Sequence, residues 1–280
     1  MKNHELFPLF MRKSNITTVH KRGSKMLLKI FRGISRVSVI RSIYMRMLYN
    51  IKYESIDSKI SDSQMGGRKK KSCRNNLFII NGILYDIKKN KNSKSALIQI
   101  VDYEEMFDGI DLQQALIDLF NIDVRDETLS ILFQANEEIA MSVNTPNGLT
   151  DRQLIYLSVL QGDTWASLIA GVQADSVNKD IKEAGCSYIY RGEVEVPSLG
   201  LVDDTLCVTE PGHKAHIVNS VMNVRAGDKT LRFGQNKCKK MFIGKKGESD
   251  LTGSLFVDTW QTTYVKSDGE TDSEGEGRYS

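Results

Sequence analysis

The residues best placed to do chemistry in this sequence are three aspartates. Asp102 ends the short apolar run Ala96-Leu97-Ile98-Gln99-Ile100-Val101, and Asp203-Asp204 lies between two further strand-like runs, Leu199 to Val202 and Thr205 to Val208. A run of β-formers that stops at a carboxylate reads as a buried strand with an acid at its exit. An acidic pair between two such runs falls where a hairpin must reverse. Carboxylates converging from different strands are what two-metal phosphoryl transfer needs, with the ions about 3.5–4 Å apart. Their hard oxygens are the ligands Mg²⁺ takes. Aspartate is also a favoured turn residue, and Glu104-Glu105 and Glu137-Glu138 are further acidic pairs, so Asp203-Asp204 read alone is a turn.

The other reactive side chains are scattered. None of Cys73, Cys186, Cys207 and Cys238 forms a Cys-x-x-Cys pair, which leaves a zinc ribbon without support. They read as reduced thiols, Cys186 and Cys207 within apolar strand-like runs. His213 and His216 could share a helical face, but no third metal ligand accompanies them.

Several elements must position the aspartates. Val37 to Asn50 reads as an amphipathic helix whose basic face carries Arg41 and Arg46. Ser55 to Ser72 is a loop containing Gln64-Met65-Gly66-Gly67-Arg68-Lys69-Lys70-Lys71. Leu77 to Ile87 predicts a second helix, and Lys88 to Lys94 a basic turn. Leu112 to Phe120 and Leu129 to Asn136 predict a long helical stretch, Leu168 to Ala184 and Ala215 to Val224 two more helices. Ser187 to Tyr190 and Val194 to Val196 read as strands, and Leu231 to Phe233 with Lys240 to Ile243 as a final hairpin. The stretch Asp268 to Gly277 is acidic, rich in Gly and Ser, and reads as disordered.

Composition excludes several classes. With 280 residues, 40% hydrophobic and 26% charged, the chain can bury a real core and is neither collagen-like nor wholly disordered. No window approaches 18 consecutive apolar residues, so no transmembrane helix and no membrane partner are expected, and Met1 to Phe10 is too polar for a signal peptide. The net charge of +3 hides an asymmetry: residues 1–100 hold 22 Lys and Arg against 5 Asp and Glu, residues 101–280 hold 16 against 30. A basic first part beside an acidic second part suggests a polyanion partner for the one and metal chemistry for the other.

Taken in order, six segments resemble the reverse transcriptase domain of non-LTR (LINE-like) retrotransposons, over roughly Thr18 to Lys245. Phe31-Arg32-Gly33-Ile34-Ser35 is similar to the first fingers motif and Gln64-Met65-Gly66-Gly67-Arg68 to the second. Asp102, followed five residues on by Phe107, resembles palm motif A. Leu160-Gln161-Gly162-Asp163 resembles motif B, Leu201-Val202-Asp203-Asp204 motif C, and Asn236-Lys237-Cys238 motif D. The sequence departs from the family at Gly33, where proline is usual, at Ala166-Ser167 for the Ser-Pro of motif B, and at Leu201 and Val202 for an aromatic and a small residue.

The resemblance implies an α+β right-hand polymerase: an N-terminal segment 1–17, basic fingers 18–94, a palm 95–245 with an antiparallel sheet backed by helices, and a disordered acidic tail 246–280. It implies that Asp102, Asp203 and Asp204 are catalytic carboxylates holding two Mg²⁺ ions, with Mn²⁺ a possible substitute. Arg32 and Arg68 would clamp the incoming triphosphate, since a guanidinium donates bidentately to phosphate. Lys69, Lys70 and Lys71 would contact the template backbone. Phe107 would exclude a 2′-hydroxyl and so select dNTPs over ribonucleotides. Gln161 and Gly162 would approach the nucleotide and template–primer, and Lys237 could act as a general acid for pyrophosphate. The implied function is RNA-directed DNA synthesis by a retroelement enzyme, extending a DNA primer on an RNA template in the nucleus or cytoplasm. The motifs stop after the sixth: no thumb is recognisable beyond Gly244, nor an endonuclease or zinc knuckle, so the chain reads as a fragment or decaying copy. Its rivals are a relic that only binds nucleic acid, an RNA-synthesising polymerase, and an unrelated fold in which the three aspartates lie far apart.

Overall fold

The computed structural model describes residues 7–21, 23–24, 26, 30–90, 94–125, 127–156, 159–229, 231–234, 238–244, 261–265 and 271–272, the last two stretches by their backbone alone. Its first elements are β1 (Lys13–His20), β2 (Phe31–Val37), α1 (Val39–Asp57) and α2 (Cys73–Lys89). Then come β3 (Ala96–Val101), β4 (Tyr103–Glu104), α3 (Met106–Gly109), α4 (Leu112–Asn121) and α5 (Glu127–Asn136). The middle holds β5 (Ile139–Thr145), β6 (Gly148–Leu149), β7 (Gln153–Ile155), α6 (Ala166–Glu183), β8 (Tyr188–Tyr190) and β9 (Val194–Val196). Last are β10 (Ser198–Leu201), β11 (Asp204–Thr209), α7 (His213–Asp228), β12 (Arg232–Phe233), β13 (Lys239–Ile243), β14 (Gln261–Val265) and β15 (Thr271–Asp272).

Local chemistry sets several helix starts. The Ser38 hydroxyl accepts from the Arg41 amide (3.2 Å) and caps α1, and Asp111 accepts from the Gln113 and Gln114 amides (2.7 and 3.1 Å) to cap α4. Each satisfies amides that have no partner within the first turn. Lys88 and Lys89 close α2, where cations suit the helix dipole.

Contacts group the chain into two units interleaved in sequence, Met1–Ile60 with Glu105–Val172, and Ser61–Glu104 with Gln173–Ser280. No single cut near residue 94 separates them. In the first unit, β1 pairs antiparallel with β2 and parallel with β5, and β5 carries β6 and β7. Its core reverses the expectation for α1. The buried positions are Arg41, Met45, Tyr49, Tyr53 and Ile56, spaced by three or four, while Val39, Ile40, Ile43, Met47 and Ile51 are exposed. Arg41 is fully buried because it meets acceptors from four directions: the Asp163 carboxylate (2.6 Å), the Ala135 and Met11 carbonyls (2.6 and 3.5 Å) and Asn136 Oδ1 (3.4 Å). Trp165, also buried, donates from Nε1 to the Met45 carbonyl (3.0 Å) and meets Tyr49 edge-on.

The second unit is built on a six-stranded sheet ordered β10-β11-β3-β13-β14-β15. Alternation along its strands sends residues to two cores. Ile98, Leu199, Val208 and Ile243 pack with Ile83 and Ile87 of α2 and with Tyr188 and Val196. Val101 and Cys207 pack with Val177 and Ile181 of α6 and Val218 and Met222 of α7, and Leu97 packs with Ala215 and Phe242. A sheet covered on both faces explains why β3 is nearly all apolar.

One reading needs correction here. β12 and β13 are not a hairpin: β12 pairs with β4, where Phe233 stacks on Tyr103 with ring centroids 5.4 Å apart, and β13 pairs antiparallel with β3. Within the stretch 246–280, β14 pairs parallel with β13 and β15 pairs with β14, and the remainder lies outside the described residues. None of the four cysteines forms a disulfide; Cys73 is exposed and the others are buried. No helix among the described residues is long and apolar enough to cross a membrane.

Candidate active site

The aspartates gather at one end of the second unit's sheet. β10 and β11 form a two-residue hairpin in which Leu201 pairs with Asp204, leaving Val202 and Asp203 as its tip. β11 runs antiparallel to β3 with Thr205 opposite Val101. The next residues outward on those adjacent strands are Asp204 and Asp102, so aspartates about a hundred positions apart in the chain meet at one end of the sheet. Asp102 and Asp203 are half-buried and Asp204 is exposed. An unrelated fold with the three far apart is thereby excluded.

Both turns are held by other segments. The carbonyl of Asp102 accepts from the Gly234 amide at 2.9 Å, and the Cys238 thiol approaches it at 3.9 Å. These residues flank Lys237, which itself lies outside the described residues. The hairpin tip is held by the loop after α1. Ser63 to Met65 runs alongside β10, with the Gly200 amide donating to the Ser63 carbonyl (2.7 Å) and the Met65 amide to the Gly200 carbonyl (2.9 Å). The Gln64 carboxamide then spans Val202: Oε1 accepts from the Val202 and Gly66 amides (3.0 and 2.9 Å), and Nε2 donates to the Val202 carbonyl (3.4 Å).

Val202 has φ +62°, an outlying conformation for a β-branched residue that persists only where its surroundings dictate it. Gly66 is required beside it, because a Cβ there would overlap the Val202 backbone nitrogen. The loop is braced in turn. The Ser61 amide donates to buried Asp175 (3.0 Å), whose other oxygen accepts from Asn178 (3.0 Å). Arg68, 7% exposed, donates from Nη1 to the Ser61 and Gln64 carbonyls (2.6 and 2.8 Å). The guanidinium expected to face a triphosphate therefore engages its own loop.

The remaining nucleotide-facing candidates, Arg32, Phe107, Gln161 and Gly162, belong to the first unit. Arg32 is exposed on β2 and Phe107 is half-buried on α3. The Ser35 amide donates to the Gln161 carbonyl (2.9 Å), joining the loop before α6 to the strand bearing Arg32. Gly162 has φ +112°, and a Cβ there would stand 2.8 Å from the Ser35 carbonyl oxygen. Asp163 anchors this loop to buried Arg41.

Sequence reasoning passed over Gln64 and Arg41. The signal for Arg41 was its register with Met45, Tyr49 and Tyr53 at steps of four, obscured by the more apolar stripe beside it. For Gln64 the only hint was a glycine two residues on, where a close backbone approach is possible.

The donor chemistry at this end of the sheet fits a divalent cation: carboxylate oxygens carried on adjacent strand ends. Among the described residues, no group of three or more His, Cys, Asp or Glu side chains stands arranged to hold an ion, so the fit rests on donor type and register.

A family sequence model described as "Reverse transcriptase (RNA-dependent DNA polymerase)" matches residues 19–267. No curated protein matches the chain significantly. Among solved structures, apo telomerase from Candida tropicalis truncated of its C-terminal domain is similar at a TM-score of 0.61 and 14% identity, covering 96% of this chain and 56% of that one. Telomerase from Candida tropicalis in complex with a TWJ fragment of telomeric RNA is similar at 0.59 and 14%, covering 96% and 46%. The corresponding Candida albicans complex is similar at 0.56 and 13%, covering 96% and 47%. The chain thus spans about half the length of these structures. The likeness is one of fold: mixed α+β, with the fingers and palm of that architecture.

Proposed function

Because the chain belongs to the reverse transcriptase family, we propose that it carries out RNA-templated DNA synthesis, extending a primer 3′-hydroxyl with dNTPs by two-metal nucleotidyl transfer, as part of a retroelement enzyme. The observation that carries this reading is the register that sets Asp102 and Asp204 side by side, with Asp203 at the adjoining tip.

Asp102 and Asp203 would hold the divalent cations, Mg²⁺ or Mn²⁺, with Asp204 at their edge. Such ions, when bound, neutralise charge on the transferring phosphoryl group and favour the alkoxide form of the primer end. Arg32 donates to nucleotide phosphate oxygens, a task its exposed position permits. Phe107 fills the space a 2′-hydroxyl would need. Gln161 and Gly162 present backbone and amide to the nucleotide and the template–primer, and Lys237 protonates the leaving pyrophosphate.

Primer extension on an RNA template, comparing deoxynucleotides with ribonucleotides in Mg²⁺ and in Mn²⁺, tests this. Deoxynucleotides should be incorporated and ribonucleotides rejected, and Asp203→Asn, which removes one charge at constant shape, should abolish synthesis. Salt-sensitive template binding without extension would overturn the enzymatic reading and leave a protein that only binds nucleic acid.

A further inference from the structure

The tip of the hairpin that carries Asp203 is bonded to a segment from elsewhere in the chain. Its first tip residue, Val202, is β-branched and sits at φ +62°, where most side chains are disfavoured. Both polar groups of that peptide residue are met by one side chain, the amide by Gln64 Oε1 (3.0 Å) and the carbonyl by Gln64 Nε2 (3.4 Å). Gln64 is 1% exposed, and its Oε1 is fixed from the other side by the Gly66 amide (2.9 Å). The segment bearing it is laid on β10 through Gly200 and anchored to α6 through Ser61 and Asp175. A glycine is needed on each side of the carboxamide: at Gly66 against the Val202 backbone, and at Gly200, where a Cβ would stand 2.7 Å from Nε2.

We infer that Gln64 is a positioning residue for catalysis, which clamps Val202 in its outlying backbone conformation and thereby sets where the Asp203 carboxylate stands relative to Asp102. The second fingers-like motif would then act on the reaction through the hairpin that carries Asp203. This inference rests on the polymerase reading above, but one of its readouts does not.

The test compares the full-length wild-type chain with Gln64→Met, which keeps size and loses all three hydrogen bonds. Amide hydrogen exchange at Val202 should quicken by about tenfold or more as its closed state is lost, while exchange at Ile98 and Cys207 in the sheet stays as in the wild type. In primer extension, kcat should fall by about ten- to a hundredfold, the range a small misplacement of a reacting group produces. The Mg²⁺ concentration for half-activation should rise several-fold, with KM for dNTP and template–primer affinity within twofold of wild type.

In a Val202→Gly background, where positive φ carries no steric cost, Gln64→Met should cost much less of kcat than it does beside valine. Unchanged Val202 exchange, or a loss of melting temperature with kcat and Mg²⁺ half-activation per folded molecule unaltered, would overturn the inference and leave Gln64 a merely structural residue. Equal cost in the valine and glycine backgrounds would also overturn it. A wild-type chain that makes no DNA product defeats the polymerase reading and with it the catalytic claim, whereas the exchange result still decides whether Gln64 clamps the hairpin.

Discussion

At the scale of single residues, the buried Arg41–Asp163 pair shows how much one side chain can organise. Arg41 has no exposed surface, and its guanidinium joins α1 to the loop before α6, to the end of α5 and to the segment before β1. A charge so placed is tolerable only because every direction offers an acceptor. Removing one partner leaves the other charge buried without compensation, so Asp163→Ala should destabilise by about 3–5 kcal/mol, the usual cost of breaking a buried pair. The check is urea denaturation of Asp163→Ala, Arg41→Met and the double variant. A strongly non-additive cycle is expected, because the two residues share one interaction, and additive losses would show that the pair does not act as a unit. The Asp163 loop also carries Gln161 and Gly162, so under the proposed polymerase function its loosening should raise KM for dNTP before the protein unfolds.

At the scale of elements, what could be read from the sequence depended on whether an element's partners were nearby and apolar. β3, α2, α4, α6 and α7 declared themselves, because each buries enough apolar side chains at its own period. The Asp203 hairpin was legible from the acidic pair between two short strands. β1 was not, since Lys13–His20 buries only Ser14 and offers no apolar alternation to count. β12 and β13 were read as partners because they are close in sequence, yet β12 pairs with β4 and β13 with β3, each partner more than a hundred residues away, and β13 also with β14 on its other side. For Gln64 the local pattern offered only the nearby Gly66, because its bonds to Val202 exist only once β10 lies beside it.

One tie between elements has a pH signature. Glu210, at the end of β11, receives Lys94 (2.8 Å), which precedes β3, and Lys214 of α7 (3.3 Å). Burial alone would push its carboxyl up, but hydrogen bonds and charge from the two lysines outweigh that and leave it below its ordinary 4.5. A carboxyl depressed in the folded state stabilises at neutral pH, and that contribution is lost as pH falls through the depressed value. Urea midpoints of wild type and Glu210→Gln should therefore differ at pH 7 and converge in acid. Because Lys94 is largely exposed, solvent screening keeps the difference under about 1 kcal/mol. A gap that persists unchanged at low pH would assign the effect to packing.

At the scale of the whole molecule, interleaving undoes the charge asymmetry seen along the chain. The stretches 1–60 and 105–172 together hold 15 Lys and Arg against 14 Asp and Glu, and 61–104 with 173–280 hold 23 against 21. Neither unit is markedly basic, because the fold joins each basic stretch of the first hundred residues to an acidic stretch from later in the chain. Attraction of a polyanion must then come from local clusters and not from a basic domain.

The longest run of consecutive lysines in the second unit is Lys69-Lys70-Lys71, which follows the loop bonded to the Asp203 hairpin; Lys69 and Lys70 are exposed and Lys71 pairs with Asp62. If this loop meets the template, replacing Lys69 and Lys70 by alanine should make the plot of log affinity against log salt shallower by about 1.4 for a single-stranded RNA, about 0.7 for each phosphate no longer neutralised. Lys179 and Lys182, solvent-facing on α6 and paired with Asp175 and Glu195, carry the same formal charge, and their replacement should leave the slope as it was. Fluorescence anisotropy with a labelled RNA over a salt series measures both. Equal shallowing by the two pairs would mean that net charge governs binding after all, whereas an effect confined to Lys69 and Lys70 places the template beside the clamped hairpin.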